Sequence, residues 1–520
     1  MASTSRRLLP VIAVTLVLLA PFVLMLRDDG DTSLPHASAP ALASMAFRSA
    51  LLPVLAVSIA LLVAAAIVAA GYLVLPRWGR RVLFTACAVP FLFPPLITAY
   101  ALHIVTGEPQ LMASMVIAAL PYAVFGQAIS LRFADAALLV TARDLALGPL
   151  AVWRLTLRPL WLRGAGFGWA WGHLVLYSDP GLYEVFGGTR SYLASHLLRA
   201  VTGGAPPSDV FRALLCTLLP ALMVAVLSAL RPRWLHMPRL GHGGNIADLL
   251  RGLRTPRWLR AGCLLIAALA WSAIGCLLVT VVRGALRAVF SGGGTTAAML
   301  IPTMILIVVA VPLSSGGALI LATALVRTRG WVRSYGRSLV IFMVYMSPAA
   351  IGTVLAMGFR LPVSVQGQNI LPSLVGGGAV WGGWLGLLMA AVSVCLPLST
   401  VLVMAGMSLR SSDDSLVARD LGAGRLRVLF TVEAPYLLPL LIASLCVQAG
   451  MLLTSIAPLA FVEPSGIQLI TPTLMRLTAS SLADEAFALA VIAGLLTCLA
   501  MAGIIAVVLT MVQTSPRRKG

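Results

Sequence analysis

The stretch "VARDLGAGRLRVLFTVEAPYLLP", residues 417–439, lies between two strongly apolar segments, and "TARDLALGPLAVWRLTLRPLW", residues 141–161, repeats its plan. Alignment pairs Arg143 with Arg419, an offset of 419 − 143 = 276. At that offset Ala142, Asp144, Leu145, Gly148, Leu150, Val152 and Pro159 meet Ala418, Asp420, Leu421, Gly424, Leu426, Val428 and Pro435. So many identities in so short a window point to an internal duplication, and the flanking apolar runs say what was duplicated.

The chain has 520 residues, 60% hydrophobic and 10% charged, which is a membrane-protein composition. An apolar run near twenty residues crosses roughly 30 Å of hydrocarbon as a helix. Twelve runs are expected to do so, in 8–26, 49–75, 83–106, 111–131, 164–178, 209–230, 261–282, 298–326, 338–358, 376–408, 438–458 and 485–512. The fold class is therefore an all-α integral membrane protein of about twelve transmembrane helices. The first run follows Arg6 and Arg7 and precedes the small residues of "HASAPALA". It is read as a span rather than a cleaved signal peptide, because it is long for one and its loss would break the even count.

A net charge of +20 in a soluble protein would point to nucleic acid, but here the charges fall on one side. With the N-terminus inside, the inner segments hold 28 of the 37 Lys and Arg and 7 of the 17 acids, giving 28 − 7 = +21. The outer segments hold 9 and 10, giving 9 − 10 = −1. Both termini are thus expected in the cytoplasm, and the partners are lipid and protein, not nucleic acid.

Each half follows one order: a basic loop (Arg77, Arg80, Arg81; Arg327, Arg329, Arg333, Arg337), a proline-bearing span, another span, then the repeated stretch. This gives a first six-helix repeat at 1–235, a basic cytoplasmic linker at 236–260 and a second six-helix repeat at 261–520. Equal orientation of the repeats leaves a path between them.

In the second copy Ser412 or Asp413 caps a short helix through "SLVARDL", which Gly422 and Gly424 end. A second helix runs through "RLRVLFTVEA" and puts Leu426, Leu429 and Phe430 on one face, as Leu150, Trp153 and Leu157 are in the first copy. One such face can rest on headgroups; two matched copies favour a groove on a cytoplasmic partner.

These stretches resemble the cytoplasmic loop of ABC importer permeases, whose glutamate-alanine-alanine pattern, glycine and later proline form the coupling helices that dock on ATPase subunits. Ala418, Gly422 and Pro435, with Ala142 and Pro159, match that pattern. Its glutamate position is Leu416 and Val140 here, and the first-copy glycine is Ala146. The whole chain resembles the fused two-repeat permeases of the iron(III), thiamine and related importers, most of all in "LPLSTVLVMAGMSLRSSDDSLVARDLGAG". The resemblance implies a type I importer fold, two ATPase subunits on the cytoplasmic side, and an extracytoplasmic solute-binding protein. It makes Ala142, Arg143, Asp144, Gly148, Trp153, Pro159, Ala418, Arg419, Asp420, Gly422, Gly424, Leu426 and Pro435 the coupling residues.

The only lysine is Lys519, so no G-x-x-x-x-G-K-[ST] phosphate loop exists in the chain and ATP must be used by another polypeptide. No catalytic constellation, metal-ligand spacing or cofactor motif is present, and an enzyme is not expected. An ion-gradient-driven transporter is the alternative, but it places ionisable groups near the midplane, and these spans hold few. Polar groups on or near apolar spans mark candidate path residues: Tyr100, His103, Gln127, His173, Ser347 and Gln448. Pro94, Pro95 and Pro348 are expected to break or kink their helices. The outer loops "SDPGLYEVFGGTRSY" and "FVEPSGIQLITP" supply Asp179, Glu184, Arg190 and Glu463 as candidates for docking the binding protein.

Overall fold

Hydrocarbon offers no partner to a backbone N–H or C=O, so apolar runs fold into helices that satisfy their own hydrogen bonds. The computed structural model describes residues 12, 15, 20, 23, 39–108, 110–132, 140–141, 144–145, 149–185, 192–230, 256–290, 296–328, 331–360, 362–365, 368–376, 379–408, 417–418, 420–428, 434–455, 457–464, 466–480 and 482–514. Most of the expected first span and residues 236–255 of the linker expected at 236–260 lie outside these residues, and residues 257–260 of that linker are helical, opening the helix that runs to Phe290.

In the first half the helices are α1 (Ala39–Leu73), α2 (Arg77–Ala88), α3 (Pro95–Thr106), α4 (Leu111–Arg132), α5 (Arg158–Ser178), α6 (Pro180–Val185), α7 (Leu193–Thr202) and α8 (Pro207–Leu230). The second half has α9 (Arg257–Phe290), α10 (Thr296–Arg327), α11 (Trp331–Tyr345), α12 (Pro348–Gly358), α13 (Trp384–Ser408), α14 (Ala434–Thr454), α15 (Ala457–Val462), α16 (Ile470–Ala479) and α17 (Ala483–Thr514). Among the described residues, α1, α4, α8, α9, α10, α13 and α17 contain the seven stretches long and apolar enough to cross a membrane. The protein is an all-α, multi-pass integral membrane protein.

The expected third and ninth spans are not straight. The stretch Arg77–Leu92 meets α3 at 99°, and α11 meets α12 at 94°. Pro94 and Pro95 stand at the first bend and Pro348 at the second, where a proline removes a helix donor and fixes φ. The expected fifth span lies within α5, and the expected eleventh, 438–458, overlaps α14 but runs past its end at Thr454; the two helices are each 21 residues long and separated by the same offset, 434 − 158 = 276.

Further features recur at related offsets. Pro95 and Pro348, which open α3 and α12, are 253 apart, while α7 and α16 are 277 apart and ten residues each. The backbone N–H of Leu193 donates to Ser49 Oγ at 2.9 Å, and that of Ile470 donates to Thr303 Oγ1 at 3.1 Å. A hydroxyl on a long membrane helix thus takes an orphan N–H of α7 in one half and of α16 in the other. The connection from α12 to α13, residues 359–383, is 25 residues long where that from α3 to α4, residues 107–110, is 4, so 25 − 4 = 21 extra residues stand there. An antiparallel hairpin not anticipated from sequence, β1 (Val363–Val365) with β2 (Gln368–Leu371), lies in that insertion. The segment after it folds back, with the N–H groups of Leu374 and Val375 donating to the Phe359 carbonyl.

Within the halves α1, α4 and α5 pack together, as do α10, α13 and α14. Between the halves α9 packs on α1, α8 on α11, and α7 on α12. Every residue of α12 from Ala349 to Gly358 is buried.

Candidate functional site

The two repeated loops are built alike where the structure describes them. In the second copy a helical turn forms at 417–421, with the Leu421 N–H donating to the Val417 carbonyl at 3.0 Å. Gly422 then takes φ +80°, a left-handed conformation that L residues avoid, and the Ala423 N–H closes back on the Ala418 carbonyl at 3.0 Å. Past Gly424 a new turn, Arg425–Val428, begins, its Val428 N–H bonded to the Gly424 carbonyl. Leu426 lies in this turn, Leu429 and Phe430 lie outside the described residues, and Pro435 opens α14.

In the first copy the Leu145 N–H donates to the Thr141 carbonyl at 2.9 Å, giving the same turn. Leu145 is 67% exposed and its counterpart Leu421 is 82% exposed, beside exposed Asp144 and Asp420. These leucines were visible only as identities in the alignment, not as a docking face. Their exposure was hidden because the turn, not the longer helix after it, sets which way they point. Ala142, Arg143, Gly148 and Arg419 lie outside the described residues.

The first loop is tied to the membrane helices. Pro149–Val152 continues through a five-residue π-helical segment, Trp153–Leu157, into α5, whose first turn holds exposed Pro159. The Trp153 ring lies 5.7 Å from that of Trp161. The Trp161 Nε1–H donates to Gln127 Oε1 at 2.9 Å, and Gln127 Nε2 donates to the Leu61 carbonyl at 3.0 Å. A contact chain therefore runs from the loop through α5 and α4 to α1; Trp161 is the link that sequence reading missed.

Of the polar groups expected along the path, Gln127 and Gln448 are buried clamps between helices. Gln448 of α14 contacts Ser314 and Ser315 of α10, Ser399 of α13 and Ser444 on its own helix, the Ser315 and Ser444 contacts being 2.9 Å. His173 is stacked between Trp169, at 5.3 Å, and Tyr177, at 5.6 Å. Tyr100 lies 5.9 Å from the Phe487 ring. Among the described residues His103 Nδ1 and Ser347 Oγ are buried without a hydrogen-bond partner. Ser347 stands at the break between α11 and α12 and leaves its oxygen in the wall of the second bent span.

The loops expected on the outer side are less open than their sequence implies. Asp179 is buried, and its Oδ1 accepts the Gly181 N–H at 2.9 Å and the Leu182 N–H at 3.4 Å, so it holds the start of α6 instead of facing solvent. Burial pushes its carboxyl up to about 6, against the opposing pull of those two N–H groups. Glu463 Oε1 accepts the Leu469 N–H at 2.8 Å, and Oε2 pairs with Arg476 at 3.2 Å. Burial raises its pKa too, opposed by Leu469 and Arg476. Glu184 lies in α6, and Arg190 is outside the described residues. Among the described residues no group of three or more His, Cys, Asp or Glu could hold a metal ion.

Residues 314–513 match the family model described as binding-protein-dependent transport system inner membrane component. The match starts within α10, ends within α17, and includes the second loop. It marks this part of the chain as similar to a transport permease component. A search of curated proteins finds no match.

Proposed function

We propose that the chain is the permease subunit of an ATP-driven importer. It forms the solute path across the inner membrane between two fused six-helix repeats, with both termini cytoplasmic. Two ATPase subunits dock on the loops at 141–161 and 417–439, and a solute-binding protein delivers from the other side. The observation that carries the reading is the matched pair of exposed leucines, Leu145 and Leu421, on equivalent helical turns of loops that lead into membrane helices. An apolar side chain displayed at one register of both loops is what docking into two partner grooves would use. The family match over 314–513 and the recurring helix lengths support the same reading.

In this mechanism ATP binding draws the ATPase pair together and moves the docked loops. In the first half the displacement passes from Trp153 to Trp161 and Gln127, and so to α1 and α4. The bent spans, with α12 buried throughout, change the side on which the path is open. The ATPases shift this equilibrium only through unequal contact with its two states.

The test is extraction of the tagged chain in mild detergent with mass spectrometry of what co-purifies. A stoichiometric partner bearing a phosphate-binding loop is expected, and Leu145→Glu with Leu421→Glu should release it while the chain stays folded. A partner-free wild type, or a double variant that keeps its partner and its transport, would sink the reading. A co-eluting binding protein would lead to the solute.

A further inference from the structure

Helix α11 opens with "WVRSYGR", residues 331–337. At 3.6 residues per turn, Trp331 and Tyr335 share one side, which is exposed, while Gly336, Val340 and Met343 share the opposite, buried side. Arg333 and Arg337 lie one turn apart on the flank between them. Among the described residues Arg333 Nε is buried without a hydrogen-bond partner, and Arg337 is close enough to feel the repulsion of Arg333. Among the described residues neither arginine of α11 takes part in an ion pair, whereas Arg476 pairs with Glu463. A buried charged donor without an acceptor is unfavourable, and a like charge one turn away adds to the penalty.

The first half shows how such an arginine is otherwise accommodated. At the offset 348 − 95 = 253, Trp331 corresponds to Trp78 and Arg333 to Arg80. Arg80 lies 5.0 Å above the Tyr72 ring, which packs against Phe84 with centroids 6.0 Å apart. At the same offset Tyr72 becomes Leu325 and Phe84 becomes Arg337. The second half has kept the arginine, lost the ring beneath it, and gained a second arginine.

We infer that Arg333 and Arg337 bind the phosphate of an anionic phospholipid at the cytoplasmic leaflet. One phosphate accepts from both guanidinium groups, supplies the acceptor that Arg333 Nε lacks, and cancels the repulsion between them. A lipid is the source because the pair borders the side of α11 on which Trp331, 76% exposed, stands as an interfacial aromatic, while Tyr335 one turn on meets Thr15 with its hydroxyl at 3.4 Å. The leaflet rests on the orientation in the proposed function; the phosphate site does not.

The test is native mass spectrometry of the full-length chain, titrated with phosphatidylglycerol, phosphatidylcholine or inorganic phosphate. The wild type should hold one phosphatidylglycerol more tightly than phosphatidylcholine. R333Q/R337Q should weaken it about tenfold, the loss expected for charge-assisted bonds, while R257Q/R260Q leaves it unchanged. R333K keeps a charge but not Nε and should also weaken binding, which covers the case of a double variant that does not fold. Unchanged affinity in either Arg333 variant would overturn the site, and inorganic phosphate displacing the lipid at equal concentration would overturn the lipid as its occupant. No ATPase or solute enters these measurements, so they stand or fall apart from the importer reading.

Discussion

Asp179 shows how a residue read as a surface charge can do a different job. Its place just past the fifth span was legible, but the burial that turns its carboxylate onto the Gly181 and Leu182 N–H groups comes from helices distant in sequence. Because burial lifts its pKa from 3.8 to about 6, the folded chain holds a proton that the unfolded chain releases. Stability contributed by this group is therefore fullest below about pH 4, falls as the pH rises through about 6, and is level above that. Asp179→Asn keeps an oxygen for both N–H groups and removes the ionisation. The variant should lose less thermal stability than the wild type between pH 4 and 7, by on the order of 1–3 kcal/mol. Melting curves in detergent at several pH values check this; parallel pH profiles would mean that the carboxyl is solvated. Gln448 was legible as a polar group on an apolar span, but Ser314, Ser315 and Ser399 meet it only through the packing of three helices.

At the scale of elements, most helices could be read from apolar run lengths, since in a membrane the chain has little alternative. The bends at Pro95 and Pro348 were legible because the proline ring acts locally. The hairpin at 363–371 was not, because its two strands are three and four residues long in a Pro- and Gly-bearing stretch and show no sustained alternation. Helix proximity was hidden as well. A Cβ on Gly164 would lie 2.3 Å from the Gly126 carbonyl oxygen, and one on Gly168 would lie 2.6 Å from that of Tyr122, so glycines let α4 and α5 approach backbone to backbone. Gly166, between them, faces open space. Gly164→Leu should separate the helices and disturb the Trp161–Gln127 link, costing about 1–3 kcal/mol, while Gly166→Leu should be neutral within about 0.5 kcal/mol. Thermal unfolding of the two variants side by side decides it; equal behaviour would place the close contact elsewhere.

For the whole molecule, the sequence offers two similar halves in order, but not the way each half's edge is completed by the other. Helix α9 of the second half packs on α1, and α8 and α7 of the first pack on α11 and α12. Lipid tails are as apolar as these surfaces, so the halves are held by close packing rather than by exclusion from water. Such packing needs no covalent link to be specific, because a misplaced surface leaves voids that lipid fills poorly. A chain cut within 231–255, expressed as residues 1–245 with 246–520, should therefore reassemble in the membrane, the two parts co-purifying through a tag on either. The reassembled pair should bind any ATPase partner as the intact chain does, because each half keeps its own loop. Recovery of the tagged part alone, from membranes that contain both, would show that the contacts between halves depend on the tether.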